Sequence, residues 1–144
     1  MFRAILTVSA TLLLAMPVAV AAPKDPKECK AIGEGAGARE ELVRKAPTCD
    51  AAMEEFEACA YGAGGDTGLG QIAREKCEAD FLPRLGKSRR AAYDAAINRC
   101  NRKYRNESGT MYRSFEAFCR AGVAQTYSRK AKAKNNTNKT GARG

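Results

Sequence analysis

Apolar positions recur at three- and four-residue steps in four stretches of the chain, the spacing of an amphipathic helix. The first stripe is Cys49, Ala52, Met53, Phe56, Cys59 and Ala60. The second is Leu69, Ile72, Ala73 and Cys77, with Phe81 one turn further. The third is Ala92, Tyr93, Ala96, Ile97, Cys100 and Tyr104. The fourth is Met111, Phe115, Phe118, Cys119, Gly122, Val123 and Thr126. No stretch alternates as a strand would, so the expected class is all-α. A weaker segment precedes the four: Gly33, Gly35 and Gly37 would each cost a helix interior about 1 kcal/mol, so helix is expected only from Ala38 to Ala46, with a short turn near Cys29. Candidate N-caps, whose side chains accept a backbone N–H at a helix start, are Thr48, Asp66 or Thr67, Ser88, and Ser108 or Thr110. Pro83 with Gly86, and residues 106–109, punctuate the gaps between the later stripes. Glu116 and Arg120 form an i,i+4 pair in the favourable order.

Upstream of the stripes, residues 1–22 fit a secretory signal peptide. Arg3 supplies a positive start, Ala4 to Ala15 is almost wholly apolar, Met16-Pro17 breaks the run, and Ala19-Val20-Ala21-Ala22 offers small residues for cleavage. Cleavage fits after Ala21 or after Ala22. The apolar run is about 12 residues before Pro17, short of the roughly 20 that cross a bilayer. The expected organisation is a signal at 1–22, a helical Cys-rich domain at 23–128 and a disordered basic tail at 129–144. No transmembrane span is expected after cleavage, and a periplasmic or secreted location follows.

Charge sharpens this division. The chain of 144 residues has 25 Lys and Arg against 16 Asp and Glu, a formal net charge of +9. Six of the bases fall in 129–144, where there is no acid and little apolar surface to offset ordering entropy. Such a tail either solubilises the terminus or attaches it to an anionic polymer. The body is polarised too: residues 34–57 carry seven acids against three bases, and residues 84–105 carry eight bases against one acid. Helix dipoles account for part of this, with Asp50 and Glu54 early in one helix and Arg102, Lys103 and Arg105 at the end of another.

Six cysteines, Cys29, Cys49, Cys59, Cys77, Cys100 and Cys119, all follow the signal, and histidine is absent. In an oxidising compartment an even count reads as three disulfides. Each of the four stripes carries cysteine, as a disulfide-stapled helical bundle of four to five helices requires. On a continuous helix Cys49 and Cys59 stand about 15 Å apart, whereas a disulfide needs Cα atoms within about 7 Å, so helix continuity excludes that pair and leaves twelve of the fifteen connectivities open. Cys100 and Cys119 flank the 106–109 turn almost symmetrically, and an antiparallel hairpin brings them level; their bond is expected. Without histidine or a Cys-x-x-Cys pair, zinc and thioredoxin-type redox chemistry are not expected, nor is any cofactor. The serines have no histidine to activate them. The Gly-rich loop 61–70 lacks the Lys-Ser/Thr of a phosphate-binding loop and reads as a helix–helix connection. Carboxylates at Asp50, Glu54, Glu55 and Glu57, and at Glu75, Glu78 and Asp80, read as solvent-facing helix acids.

The stretch Cys49-Asp-Ala-Ala-Met-Glu-Glu-Phe-Glu-Ala-Cys-Ala60 resembles the opening of the LprI-type lysozyme-inhibitor family of exported bacterial domains. Tyr112-x3-Glu116-x2-Cys119, with Tyr127-x-Arg129, is similar to that family's later aromatic–charged–cysteine helix. The chain departs from the pattern in the short Cys49–Cys59 spacing, in the glycine loop 62–70, and in having Tyr112 where the family has Trp. The resemblance implies an all-α exported domain that binds lysozyme-like enzymes. Two expectations of function follow, neither enzymatic. One is a protein-binding domain, in its sharpest form a lysozyme inhibitor, with Glu54, Glu55 and Glu57 as its contact face. The other is an envelope-associated protein that holds an anionic polymer through Arg89, Arg90, Arg99, Arg102, Lys103 and Arg105 and the tail.

Overall fold

The computed structural model describes residues 28–31, 34–35 and 37–141, with side chains described up to residue 137. The expected signal segment 1–22 lies outside the described residues. Among the described residues five α-helices follow one another: α1 (Ala38–Lys45), α2 (Cys49–Cys59), α3 (Asp66–Glu78), α4 (Lys87–Tyr104) and α5 (Thr110–Gly141), with a 3₁₀ turn at Leu82–Arg84. Among the described residues there is no strand. The protein is an all-α bundle stapled by three disulfides.

Local chemistry explains the shorter helices. Helix α1 starts after Gly37, whose φ of 85° only glycine adopts at little cost. It carries Glu40 and Glu41 in its first turn and Arg44 and Lys45 in its last, complementing the helix dipole. Thr48 caps α2 by accepting the Ala51 amide at 3.1 Å. Helix α2 then buries Cys49, Ala52, Met53, Phe56 and Cys59, the stripe read from the sequence. Helix α3 buries Leu69, Ala73 and Cys77 in the same way, and Phe81 closes the core beyond it. Two candidate caps are corrected. Helix α4 begins at Lys87 behind Gly86, one residue before Ser88, without a side-chain cap. Asp66 is the first residue of α3 and turns its carboxylate back to the loop instead of forward into the helix.

Helix α5 organises the rest. It packs most extensively along α3, then along α4, and also touches α2; α1 leans on α2 and α3. Its inner face is not the fourth stripe of the sequence reading. The buried residues are Ser114, Ala117, Ala121, Ala124 and Ser128, while Met111 and Phe115 are exposed by 48% and 42%. Close approach of α3 is the reason. A Cβ on Gly70 would lie 2.8 Å from the Ala117 Cβ and 3.0 Å from Phe56 Cζ, so α3 admits only small residues opposite it. The larger side chains of α5 pack along the flanks. Phe118 stacks on Phe56 with ring centroids 4.2 Å apart, and Tyr127 meets Tyr93 and Phe81 at 5.1 and 5.5 Å.

The boundary at residue 128 is also corrected. Helix α5 continues to Gly141, so the basic segment from Arg129 onward is helical over most of its length. Two ion pairs draw it onto the bundle, Arg129 Nε to Asp50 Oδ1 at 2.7 Å and Lys132 Nζ to Asp80 Oδ2 at 3.0 Å. Ala131 packs against the core beside them.

The disulfides join Cys29 to Cys59, Cys49 to Cys77 and Cys100 to Cys119. Helix α2 is therefore pinned at both ends, to the leading segment and to the end of α3. The Cys100–Cys119 bond joins α4 to α5 across their turn, as the level placement of the two cysteines led us to expect.

Candidate functional site

The acidic residues of α2 do not share one face. Glu54 and Glu57 are exposed, but Glu55 is only 8% exposed. A helix turns by about 100° per residue, and that rotation carries Glu55 round to the flank of Ala52 and Phe56. The expected three-carboxylate contact surface is thus reduced to two residues.

The basic residues of α4 are all exposed, but they form two groups separated by about 15 Å of helical rise. Arg99, Arg102, Lys103 and Arg105 occupy the C-terminal end, where the dipole favours cations. Lys103 Nζ lies 5.0 Å from the centre of the Tyr104 ring. Arg89 and Arg90 occupy the N-terminal end, where Arg90 pairs with Asp94 at 3.6 Å. Because α4 and α5 run antiparallel, Arg89 meets the far end of α5. With Lys130 and Lys134 it borders a recess of about 110 Å³ walled by Phe81, Leu85, Tyr127 and Ala131. Lys130 also sits over the Tyr127 ring at 5.8 Å. Sequence reasoning placed Lys130 and Lys134 in a disordered tail and so could not bring them to Arg89.

A second concavity, about 250 Å³, lies between α3 and α5. Thr67, Gln71 and Arg74 line it from α3, and Arg113, Glu116 and Arg120 from α5, with Gly70 and Ala117 between them. Arg113 Nη1 is 3.5 Å and Arg120 Nη1 3.9 Å from the Glu116 carboxylate. Arg74 Nε is 3.7 Å from Glu78 Oε1, which also accepts the Tyr93 hydroxyl at 2.5 Å. With its amide turned to satisfy both neighbours, Asn101 of α4 donates to Glu116 Oε1 at 3.2 Å and to the Ile97 carbonyl at 3.3 Å. Only the Glu116–Arg120 pair was visible in the sequence; Arg74 and Arg113 carried no local signal.

Three carboxyl and phenol groups are perturbed by these contacts. Burial raises the Asp50 carboxyl, but hydrogen bonds from Arg129 and Gln125 and the charges of Arg129 and Lys132 outweigh it, leaving Asp50 below the ordinary value. Asp80 is lowered likewise: the Ser128 and Lys132 hydrogen bonds and the charges of Lys132 and Arg84 overcome its burial. Burial, together with the hydrogen bond to Glu78 and its charge, drives the Tyr93 phenol far above its usual range. Its hydroxyl therefore stays protonated and keeps donating to Glu78. All six cysteines are bonded. Among the described residues no group of three or more Cys, Asp or Glu side chains is arranged to hold a metal ion, and no helix is long and apolar enough to cross a membrane.

Comparison with family models, with curated proteins and with solved structures finds no match to this chain.

Proposed function

We propose that this chain is an exported, non-enzymatic binding protein that attaches to an anionic polymer of the cell envelope through α4 and the C-terminal half of α5. The observation that supports this reading is the meeting of Arg89 with Lys130 and Lys134 around the apolar recess of Phe81, Leu85 and Tyr127. Cations around an apolar, aromatic floor suit a polymer whose charged groups alternate with less polar units. The exposed bases at the other end of α4 lengthen the track. Ordering of the basic segment as helix presents its lysines in a fixed register, at less entropic cost on binding than a disordered tail would pay. Three disulfides are compatible with an extracytoplasmic location.

The test is a salt titration of the oxidised protein against polyphosphate as the probe polymer. Affinity should fall linearly with the logarithm of salt concentration, and Arg89→Gln/Lys130→Gln/Lys134→Gln should make that slope shallower by about 2–3. A slope unchanged in the triple variant would remove this surface from the reading.

The second reading is the lysozyme inhibitor, supported by the resemblance of 49–60 to that family and by the exposure of Glu54 and Glu57 beside each other on α2. Titration into a cell-wall lysis assay against several lysozyme classes separates the two. Dose-dependent inhibition that Glu54→Lys/Glu57→Lys abolishes, at unchanged helical circular dichroism, would replace the polymer reading with this one.

A further inference from the structure

We propose that the cleft between α3 and α5 binds a small oxyanionic ligand, a phosphate or carboxylate with the compact group that carries it, gripped by Arg74, Arg113 and Arg120. This site shares no residue with the polymer-contacting surface and stands or falls separately from it.

Each guanidinium offers about five N–H donors in a planar fork matched to carboxylate and phosphate oxygens. Three such groups line a single cleft, and the carboxylates beside them are few. Glu116 is shared between Arg113 and Arg120 and also accepts from Asn101. Glu78 is shared between Arg74 and the Tyr93 hydroxyl. The nearest Arg–carboxylate approaches, 3.5 to 3.9 Å, are ion pairs longer than a well-formed charge-assisted hydrogen bond of about 2.8 Å. The buried Nε atoms of Arg74 and Arg120 have no hydrogen-bond partner among the described residues. Those two Nε atoms are closed to solvent, so the donors an incoming oxyanion reaches are the Nη groups of the three arginines, which outnumber the two shared carboxylates beside them.

Burial and shape add to this. The side chains of Arg74 and Glu116 are 19% and 16% exposed, and that of Arg120 33%. Charges so screened from water act on a ligand more strongly than those of a solvated surface. The close approach of α3 and α5 at Gly70 and Ala117 gives the cleft a floor of backbone and small side chains. Thr67 and Gln71 supply neutral polar groups at its rim. At about 250 Å³ the cleft lies just below the range of drug-sized pockets, which start near ~300 Å³, and suits one anionic group with a few attached atoms. Glu116 is the internal competitor: it occupies the donors that the ligand would take.

Isothermal titration of the full oxidised protein with inorganic phosphate, sn-glycerol 3-phosphate and citrate tests the site and separates a free anion, a phosphate ester and a carboxylate as its source. Saturable one-to-one binding of at least one probe is expected. Arg74→Gln and Arg120→Gln should each weaken it at least tenfold. Glu116→Gln, by removing the competitor, should tighten it severalfold, a gain that a merely structural role for Glu116 would not give. Arg113, whose side chain is 58% exposed, provides a variant that spares the core: Arg113→Gln should weaken binding while leaving the melting temperature unchanged. Absence of saturable binding for all three probes, equal affinity in the arginine variants, or weaker binding in Glu116→Gln would each overturn the proposal. Polyphosphate binding that persists in the Arg74 and Arg120 variants would show that the two surfaces act separately.

Discussion

Asp66 has no exposed surface, yet its carboxylate is well supplied with donors. Its carboxylate accepts the amides of Tyr61 and Ala63 at 3.1 Å each and the Ser114 hydroxyl at 2.7 Å. Three donors offset the desolvation of one buried charge. They also fold the glycine loop back on α3 and fasten it to the first turns of α5. Asp66→Ala leaves the buried Ser114 hydroxyl and two loop amides without their acceptor. A loss of about 2–3 kcal/mol is expected, read from the urea midpoint at constant m-value. A loss below about 0.5 kcal/mol would mean that water replaces the carboxylate at little cost and that the loop is not anchored there. From the sequence, Asp66 reads as a helix cap because capping is local chemistry, whereas Ser114 stands 48 residues away. Thr48 was legible for the converse reason: its partner, Ala51, is three residues on.

At the scale of the element, α5 carries two different jobs along one helix. Its N-terminal half is held by packing against α3. Its C-terminal half is held by polar contacts as well: Gln125 and Arg129 donate to Asp50, and Ser128 and Lys132 to Asp80. Both carboxyls lie below their unfolded value of about 3.9. A group with a depressed folded pKa contributes stability in full above its unfolded pKa and loses it as pH falls through the folded one. The outer half of α5 should therefore loosen below about pH 4, before the disulfide-held core. Amide exchange over 125–137 as a function of pH checks this. Asp50→Asn/Asp80→Asn should exchange faster at pH 7 and show a flatter acid profile. An acid profile as steep as that of the unmodified chain would place the titrating groups elsewhere. These contacts also explain two misreadings. The basic segment looks disordered in isolation because its anchors are distant, Asp50 being 79 residues from Arg129. The inner face of α5 escaped a hydrophobic stripe because it is built of Ala and Ser, whose burial is decided by the closeness of α3 and not by their own hydropathy.

For the whole molecule, the three disulfides are not equivalent, because the helices they join differ in other support. Helices α2 and α3 pack on each other and each also on α1 and α5, so Cys49–Cys77 reinforces a region already held from several sides. Helix α4 has α5 as its one extensive helical neighbour among the described residues. The Tyr93 cluster holds its N-terminal half, and Cys100–Cys119 is the covalent tie at its far end, with only the Asn101–Glu116 hydrogen bond and the Tyr104–Phe115 ring contact beside it among the described polar and ring contacts. Bridges enclosing 28 and 19 residues constrain the unfolded chain by similar amounts, about 3–4 kcal/mol each in the chain-entropy account, so the difference should lie in where the molecule opens. Cys100→Ser/Cys119→Ser should raise amide exchange chiefly over 97–112, freeing the end of α4 and the turn, with α2 and α3 still protected. Cys49→Ser/Cys77→Ser removes the bridge inside the shared core and should lower protection throughout the bundle. Exchange mapped by mass spectrometry distinguishes the patterns, and the same pattern in both variants would mean that the bundle opens only as a unit. If the local pattern holds, polymer binding offers a further consequence. Arg99, Arg102, Lys103 and Arg105 ride on the freed end of α4, so the Cys100→Ser/Cys119→Ser variant should lose part of its affinity for polyphosphate while the group formed by Arg89, Lys130 and Lys134 keeps the rest.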